Sequence, residues 1–483
     1  MNKKYIIAAA FLILGAANQS CSNDFIDVQP TEAIPESAFG EIYNNDEGAN
    51  NLVTAIYAKF LDWNMSTFAW IGVTSIVSDD ADKGSSPSDS GSDKDILDAL
   101  NFTPATPSFK ELFASNYQGI NRCNQALKYL PQLDKADLQL RERLAGEAKF
   151  LRAFMYFTLV RSFGGVPLVD HVPVTGVEAD KLMTLTRKSK EDIYAFIEKD
   201  LKEAAQVLPT GTGGQRATKG AAHALLAKVY LYQKKWQLAV DECNLVTGYS
   251  LTSNFQDIYK VSGENNAESI FEINGSGGTA GRAIQQYSQV QGARGTTGWG
   301  WGFATPTQSL YDAYSATDTR RDATIIHRDM TLYDGYYVGP NTENKFYNYK
   351  AYSSNYRDQA STDVNIRYLR YAEVLLIKAE AMNELGQTSA AIPFLNQVRN
   401  RANIGNTPAA SQADVRADIW KQRRLELAFE HDRWFDLVRT GQAQAAMAAD
   451  GGKVFKVGTH ELFPLPQDFI SEAGGLSAQN PGY

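Results

Sequence analysis

The sequence predicts a mostly α-helical protein with long irregular loops and a few short strands. Apolar residues recur at helical spacing in several long segments of the 483-residue chain. The spacing of small and aromatic residues in one helix pair returns later in the chain, which is typical of a repeat architecture. Between these copies lies a stretch rich in glycine and aromatic residues without helical periodicity, too long for a plain loop.

The N-terminus predicts a signal peptide over residues 1–20. Lys3 and Lys4 precede an apolar run over residues 5–15, which is too short to span a bilayer. Cys21 then lies where the acylated cysteine of a bacterial lipoprotein is expected, so residues 21–45 are interpreted as a lipidated leader. No later apolar run is long enough to cross a membrane, and an acyl chain would be the only membrane attachment.

The charge of the chain excludes two classes of partner. The formal net charge of −8 includes Lys3 and Lys4, so the chain after residue 20 is more acidic still. An acidic protein is not expected to bind nucleic acid or the anionic face of a membrane.

We interpret residues 46–483 as one domain, with a scaffold over 46–260 and 366–483 and a loop-rich ligand region over 262–365.

Helical periodicity predicts four helices before the repeat, over residues 46–63, 109–130, 142–162 and 189–207. Gly164 and Pro209 end the last two of them. Residues 268–273 predict a short strand, because they alternate little and contain β-branched and aromatic side chains.

Residues 78–93 are polar and predict a solvated loop. The acids Asp79, Asp80 and Asp82 raise a calcium site as the alternative. Gly84, however, stands where an EF-hand loop requires a ligand, so the solvated loop is favoured.

The repeat consists of two helices in which alanines lie twelve positions apart. Ala227 and Ala239 mark one copy, and Ala379 and Ala391 mark another. Small residues let paired helices approach closely, which is typical of tetratricopeptide-like units. Further matching positions, including those of a split third copy, are Leu226, Tyr230, Leu375, Met382, Ala153, Tyr156, Leu201, Ala204 and Pro209. We interpret the repeats as scaffold, and a groove for a peptide or a partner chain is the alternative.

Cys123 and Cys243 both lie in helical sequence. An extracytoplasmic compartment allows a disulfide between them. A core of this size does not need one, so two buried free thiols are the favoured interpretation.

A long amphipathic helix is predicted over residues 420–441, where apolar residues recur at helical spacing and glycine stands at the C-cap position. Four charged residues form a row along it, namely Arg423, Glu426, Glu430 and Arg433. Arg424 and His431 lie within the apolar stripe itself. Because buried charges must be paired, this segment predicts a hydrogen-bonded network.

A catalytic role for Glu430, His431 and Asp432 is the alternative. Adjacent residues on a helix point in different directions, and no nucleophile accompanies these three. The histidines are scattered along the chain, without a His-Glu-x-x-His motif or paired cysteines for zinc. We therefore predict no catalytic residue, no metal, no cofactor and no enzymatic activity.

The same C-terminal segment resembles the signature of the SusD/RagB family. The resemblance is carried by RLELAFE over 424–430, RWFDL over 433–437, LFPLP over 462–466 and QNPGY over 479–483. Members of this family are surface glycan-binding lipoproteins of Bacteroidetes. The resemblance implies a lipid-anchored protein of the outer membrane, exposed on the cell surface. It would capture an oligosaccharide and deliver it to a SusC-like TonB-dependent transporter.

Aromatic residues outside the helical scaffold are the candidates for glycan binding. Flat rings stack on the apolar faces of sugars, and amide, carboxylate or guanidinium groups bind the hydroxyls. The candidates are Trp299, Trp301, Tyr333, Tyr336, Tyr337, Trp63 and Trp70, with Asn64, Arg294 and Asn341 as polar partners. Trp299 and Trp301 alternate with glycines, which are expected to let a ligand approach closely.

Three alternatives remain beside this prediction. One is a glycoside hydrolase, because a sequence with 55 acidic residues neither shows nor excludes two carboxylates about 5–10 Å apart. Each aromatic residue could instead pack the irregular region. The whole chain could be a peptide- or protein-binding repeat protein without glycan affinity.

Overall fold

The computed structural model describes residues 43–212, 215–277, 281–355, 357, 359–450 and 452–483. The predicted signal peptide, Cys21 and all but the last residues of the predicted leader lie outside these ranges. The mostly helical fold class is confirmed. Within the described residues, no helix is long and apolar enough to cross a membrane.

Helices dominate the first half of the chain. They are α1 (Asp46–Lys59), α2 (Trp63–Ser66), α3 (Phe68–Ile71), α4 (Lys94–Asp98), α5 (Pro107–Tyr129), α6 (Leu138–Phe163), α7 (Glu178–Leu185), α8 (Lys190–Val207), α9 (Lys219–Tyr232) and α10 (Trp236–Leu245), with a π-helix at Gly72–Ile76. Asn45, Ser189 and Thr218 cap α1, α8 and α9 through side-chain oxygens, which satisfies backbone N–H groups at each helix start. The four helices predicted here are confirmed, although α1 ends before Trp63.

The second half contains shorter helices. They are α11 (Tyr287–Gln291), α12 (Gln308–Ala313), α13 (Arg321–Thr324), α14 (Tyr371–Glu384), α15 (Thr388–Arg401), α16 (Gln412–Leu427), α17 (Arg433–Arg439), α18 (Ala443–Asp450) and α19 (Gln467–Ala473). Helices α11 to α13 interrupt the loop-rich stretch, and the others return to the scaffold.

Within the described residues, short antiparallel strand pairs connect the loops to one another and to the scaffold. The pairs are β1 (Ala81–Gly84) with β4 (Phe303–Pro306), β2 (Ser269–Ile273) with β10 (Ile366–Arg370), β3 (Ile284–Gln285) with β9 (Ser361–Thr362), β5 (Ile325–His327) with β8 (Phe346–Asn348), and β6 (Met330–Thr331) with β7 (Tyr337–Val338). Strand β2 confirms the predicted strand. Its pairing with β10 closes the loop-rich stretch, because the two strands flank that stretch in sequence.

The repeated helix pairs are α9 with α10 and α14 with α15, and the split copy is α6 with α8. Ala227, Ala239, Ala379 and Ala391 have no exposed surface. The alanines therefore lie where helices pack most closely, as predicted. Tyr230 is also buried, with 1% of its surface exposed, so its ring is part of the scaffold core.

The prediction of one continuous helix over residues 420–441 is wrong. Helix α16 ends at Leu427 and α17 begins at Arg433. Between them Phe429 and His431 adopt left-handed backbone with φ of 61° and 71°, a conformation that non-glycine residues seldom adopt. Both side chains are buried there, so tertiary packing overrides the helical periodicity of this segment.

Asp79 and Asp80 correct the interpretation of residues 78–93 as a solvated loop. Each is only 3% exposed. Arg433 donates to Asp79 Oδ1 at 2.7 Å, and Arg424 donates to Asp80 Oδ1 at 2.6 Å. The two carboxylates anchor the loop because they neutralise the two arginines that flank the helix break.

The predicted buried network exists and extends well beyond this segment. Three arginines converge on Glu426, which has no exposed surface. Arg370 lies 3.0 Å and Arg320 lies 3.3 Å from its carboxylate oxygens, and Arg401 donates to it as well. Burial alone would raise the pKa of Glu426, but the three guanidinium groups outweigh it and hold this pKa well below its usual range.

Glu430 extends the network into the helix break. It accepts from Arg370 at 2.7 Å and from Lys350 at 2.6 Å. Burial raises the pKa of Glu430, and the charges of Arg370 and Lys350 more than reverse that effect and lower it to about 2. The carboxylate is therefore ionised and paired, which is the opposite of what a general acid requires.

The C-terminal residues pack on the first half of the chain. Lys453 Nζ donates to the carbonyl oxygens of Ile76, Ser78 and Ala81 at 2.7, 2.6 and 2.7 Å. Asn480 Nδ2 donates to the carbonyl of Phe163 at 2.9 Å. These contacts attach the C-terminal segment to residues 76–81 and to the end of α6.

The two cysteines of the described residues should resist modification in the folded protein. Cys123 and Cys243 are free and buried, and burial raises the pKa of both thiols, so little thiolate forms. We expect no reaction with a thiol reagent such as dithionitrobenzoate at pH 8 for the chain from Ser22 onward, and reaction of both thiols in guanidinium chloride. Rapid reaction without denaturant would contradict this burial.

Candidate functional site

Two indole rings lie side by side at the edge of the main core. Trp63 begins α2 and Trp301 lies two residues before β4. Their ring centroids are 6.0 Å apart at an interplanar angle of 58°, and both side chains are only partly buried. Phe68 packs on Trp63 at 5.2 Å and on Phe303 at 5.0 Å. We call Trp63 and Trp301 the indole surface.

Residues 284–291 form hydrogen bonds with the backbone of both tryptophans. The Trp301 N–H donates to the carbonyl of Gln289 at 2.8 Å, and the Trp63 N–H donates to Oε1 of Gln285 at 3.1 Å. A Cβ at Gly300 would lie 2.5 Å from the Gln289 carbonyl oxygen, so this position requires glycine. The glycine next to Trp301 thus allows two backbone segments to pack, which corrects the expectation that it makes room for a ligand.

Amide side chains accompany the indole surface. Gln285 is exposed, and Asn64, Gln286 and Gln289 are partly exposed. Gln286 has left-handed backbone with φ of 55°, and its Nε2 donates to Oε1 of Gln289 at 3.2 Å. Amides both donate and accept hydrogen bonds, which suits the hydroxyls of a sugar. The three glutamines were not predicted, because only their adjacency to an aromatic loop marks them in the sequence.

Trp299 lies in a separate cluster. Only 8% of its surface is exposed, and its ring packs edge-on against Tyr336 at 5.5 Å and Tyr352 at 5.2 Å. Tyr333 stacks on Tyr349 in the same cluster at 5.7 Å. The structure therefore does not bring Trp299 and Trp301 together, although they are two residues apart.

A charged group caps this second cluster. Arg357 lies 4.0 Å from the ring centre of Tyr336 and 2.6 Å from Asp334. Tyr352 also donates to Asp334, at 2.7 Å. Partial burial raises the pKa of Asp334, and hydrogen bonds from Tyr352 and Arg357 outweigh it and lower this pKa below its usual range. Arg357 was missed in the sequence because nothing marks it as the partner of Asp334.

The remaining candidates lie in different places. Trp70 is 3% exposed and packs on His431 and Tyr368 within the core. Arg294 forms ion pairs with Asp89 at 3.2 Å and Glu343 at 3.1 Å.

Tyr337 and Asn341 are the exposed candidates. Tyr337 is 52% exposed and donates to Asp329 at 2.8 Å. Asn341, which follows in the same loop, is also exposed. Among all the candidate aromatics, only the indole surface combines partly exposed tryptophans with nearby amides in the described residues.

The indole surface can hold a sugar by stacking and hydrogen bonding. It presents two large apolar rings that are not coplanar, with neutral amides nearby. In the part of the chain that the structure describes, no three His, Cys, Asp or Glu side chains group closely enough to hold a metal ion.

Two family models match this chain. One, described as SusD family, matches residues 333–483. The other, described as starch-binding and associating with the outer membrane, matches residues 24–231. Together they cover both ends of the scaffold.

Several curated proteins and solved structures are similar to this chain along most of their length. SusD-like protein P2 of Formosa agariphila is 30% identical over 406 residues, covering 76% of this chain and 79% of that protein. A laminarin-binding SusD-like protein superposes with a TM-score of 0.75 at 29% identity, covering 91% of this chain and 100% of that one. Surface glycan-binding protein A of Bacteroides fluxus gives a TM-score of 0.76 at 26% identity, with 90% and 99% covered.

Proposed function

The chain belongs to the SusD family, and from this we propose that it binds a glycan at the indole surface of Trp63 and Trp301. The observation that carries the proposal is the geometry of the two rings, partly exposed, 6.0 Å apart and inclined at 58°. Inclined rings can stack on successive residues of a curved chain. The adjacent amides of Gln285 and Gln289 would bind the hydroxyls.

The proposed cellular role follows from family membership. The protein would be anchored to the outer membrane through an acylated Cys21 and exposed on the cell surface. Residues 46–483 would act as one domain that captures an oligosaccharide and delivers it to a SusC-like TonB-dependent transporter. One matching family model is described as associating with the outer membrane, which supports this location.

We propose laminarin as the first ligand to test. The solved SusD-like protein that binds laminarin is 29% identical to this chain over 91% of its length. The matching description "starch-binding" makes starch the second ligand.

We further propose binding without cleavage. The family consists of glycan-binding proteins, and the one residue set that raised a catalytic alternative is absorbed in the scaffold, since Glu430 is paired with Arg370 and Lys350. Incubation with laminarin should leave its chain-length distribution unchanged by chromatography. A rise in reducing ends that tracks the purified protein would contradict this.

Replacing Trp301 by alanine should weaken glycan binding at least about tenfold, because one of two stacking faces is removed. Trp63→Ala should have an effect of similar size. Isothermal calorimetry of the chain from Ser22 onward against laminarin, then against a polysaccharide panel, measures both.

Trp236→Ala is the matched control for these variants. Trp236 is also a partly buried tryptophan, but it begins α10 in the repeat scaffold. Its loss should leave glycan affinity unchanged. If affinity instead follows Trp236 and ignores Trp301, the ligand lies on the repeats, as the peptide-binding alternative requires. Undiminished laminarin affinity in Trp63→Ala and Trp301→Ala would move the glycan site elsewhere.

A further inference from the structure

His431 hydrogen-bonds to both segments that carry the indole surface. Its Nδ1 lies 2.9 Å from Thr74 Oγ1, and its Nε2 lies 3.0 Å from the Tyr287 hydroxyl. Thr74 belongs to the π-helix that continues from α2 and α3, and therefore from Trp63. Tyr287 begins α11, whose Gln289 carbonyl accepts from the Trp301 N–H. The imidazole therefore joins two supports through a pair of hydrogen bonds that we call the joint. Gln285 joins the same supports at a second place, where it accepts from Trp63 and Thr67.

The hydrogen bonds define the tautomer of the ring. The Thr74 hydroxyl donates to the carbonyl of Trp70 at 2.6 Å, so its oxygen accepts from His431. Nδ1 therefore carries the proton, and Nε2 accepts from the Tyr287 hydroxyl. The series Tyr287, His431, Thr74, Trp70 runs in one direction, and every member has a single arrangement that satisfies its neighbours.

We propose that His431 is a positioning residue for the glycan site. Its neutral ring joins the segment of Trp63 to the segment that supports Trp301, and protonation of Nε2 breaks that joint. The inference rests on the function proposed above. His431 need not touch the glycan, since it would act through Thr74 and Tyr287 on the relative placement of the two indoles.

Protonation would reverse the role of Nε2. A charged imidazole has two N–H donors and no acceptor, so the Tyr287 hydroxyl loses the partner to which it donates. Because Tyr287 is buried, its hydroxyl must reorient or the segment around it must move to find another acceptor.

The surroundings keep the ring neutral at ordinary pH. Burial lowers the pKa of His431 to about 4, and Lys228 adds to this while Asp432 and Glu430 oppose it. Lys228 from α9 and Arg161 from α6 both face the same space and pair with Asp432, at 2.5 and 2.8 Å. The other titratable groups packed there are the tyrosines Tyr287 and Tyr368. Acidic conditions are therefore required to protonate His431 and to break its hydrogen bond with the Tyr287 hydroxyl.

Two single substitutions break the joint from opposite sides. His431→Asn keeps a donor for Thr74 and tolerates left-handed backbone, but removes the acceptor for Tyr287. Tyr287→Phe removes only the hydroxyl. Tyr117→Phe is the matched control, because the buried Tyr117 hydroxyl also donates a single hydrogen bond, to the carbonyl of Pro167 at 2.6 Å.

Each variant should weaken laminarin affinity about fivefold at pH 7, the effect of one net hydrogen bond. The double variant His431→Asn/Tyr287→Phe should be no weaker than either single variant, since both remove the same interaction. Tyr117→Phe should bind like the unmodified protein. Additive losses, or unchanged affinity in both single variants, would overturn the inference.

A pH series supplies a readout that a purely structural role would not change. Because about half of the His431 rings are protonated at pH 4, affinity of the unmodified protein should fall a little under about twofold between pH 6 and pH 4 and approach the loss of about fivefold below pH 4, within the range where circular dichroism shows it folded. Affinity of His431→Asn should stay flat over the same range. Parallel pH profiles of the two proteins would overturn the inference.

Fluorine NMR separates this inference from the proposed function. With 5-fluorotryptophan incorporated, the resonances of Trp63 and Trp301 should shift in His431→Asn and Tyr287→Phe without any ligand, and should not shift in Tyr117→Phe. If the unmodified protein binds no glycan at any pH, the proposed function fails, and these resonances alone decide the role of His431. Unshifted resonances in both variants would overturn it.

Discussion

Replacing Glu426 by glutamine is expected to lower the free energy of unfolding by about 3–5 kcal/mol, the cost of breaking a buried ion pair from one side. Arg370, Arg401 and Arg320 all point at this one carboxylate. Glutamine keeps the volume and one acceptor oxygen but removes the charge. The three guanidinium groups would then be left with fewer negative partners, although their side chains are at most 4% exposed.

Urea unfolding at pH 7 measures this effect. Glu203→Gln is the matched control, because Glu203 pairs with Lys149 at 2.8 Å on a partly exposed face of α8, where an ion pair contributes less than about 1 kcal/mol. A loss below about 1 kcal/mol for Glu426→Gln would mean that the buried arginines are adequately paired without it.

The contribution of His431 to stability is expected to fall by about 3 kcal/mol as the pH drops from 6.5 to 4. Burial lowers the pKa of His431 to about 4, whereas the unfolded chain has the ordinary value of 6.5. Between these values the unfolded chain takes up a proton that the folded protein does not bind, so unfolding becomes more favourable as the pH falls. The contribution is complete above pH 6.5 and is lost through this window.

The measured quantity is the difference in unfolding free energy between the unmodified protein and His431→Asn, whose asparagine binds no proton at this position. Unfolding free energies of both are taken from urea titrations at half-unit pH steps. The difference is necessary because Glu264 acts in the opposite direction, since burial raises its pKa to about 7. A difference that stays constant from pH 6.5 to pH 4 would contradict the prediction.

Local patterns predicted most of the scaffold. Helical periodicity located α5, α6 and α8, and Gly164 and Pro209 supplied end signals for α6 and α8 within the sequence itself. The alanines of the repeats were informative for the same reason, since close helix packing requires small residues wherever it occurs.

The helix break at residues 428–432 could not be predicted from local pattern. Neither glycine nor proline occurs there, and the apolar period continues through it. The break is set by distant partners, Asp79 and Asp80 for the flanking arginines and Thr74 for His431. Those partners lie more than 300 residues away in the chain.

The sequence could predict which residue types form the candidate site, but not which individual residues form it. Aromatic composition indicated the correct regions, but it could not distinguish Trp301, which is partly exposed, from Trp299, which is buried two residues earlier. That difference depends on Tyr336 and Tyr352, whose rings pack edge-on against Trp299. Exposure is a tertiary property, and residue type alone does not encode it.

The contacts made by Lys453 and Asn480 join parts of the chain that lie more than 300 residues apart. The carbonyls of Ile76, Ser78 and Ala81 receive the lysine only after a loop of more than 370 residues has closed. Contacts between such distant residues form slowly, because a long loop must close before they contribute. We therefore expect these contacts of the C-terminal segment to form late in folding, after local helices such as α5 and α6.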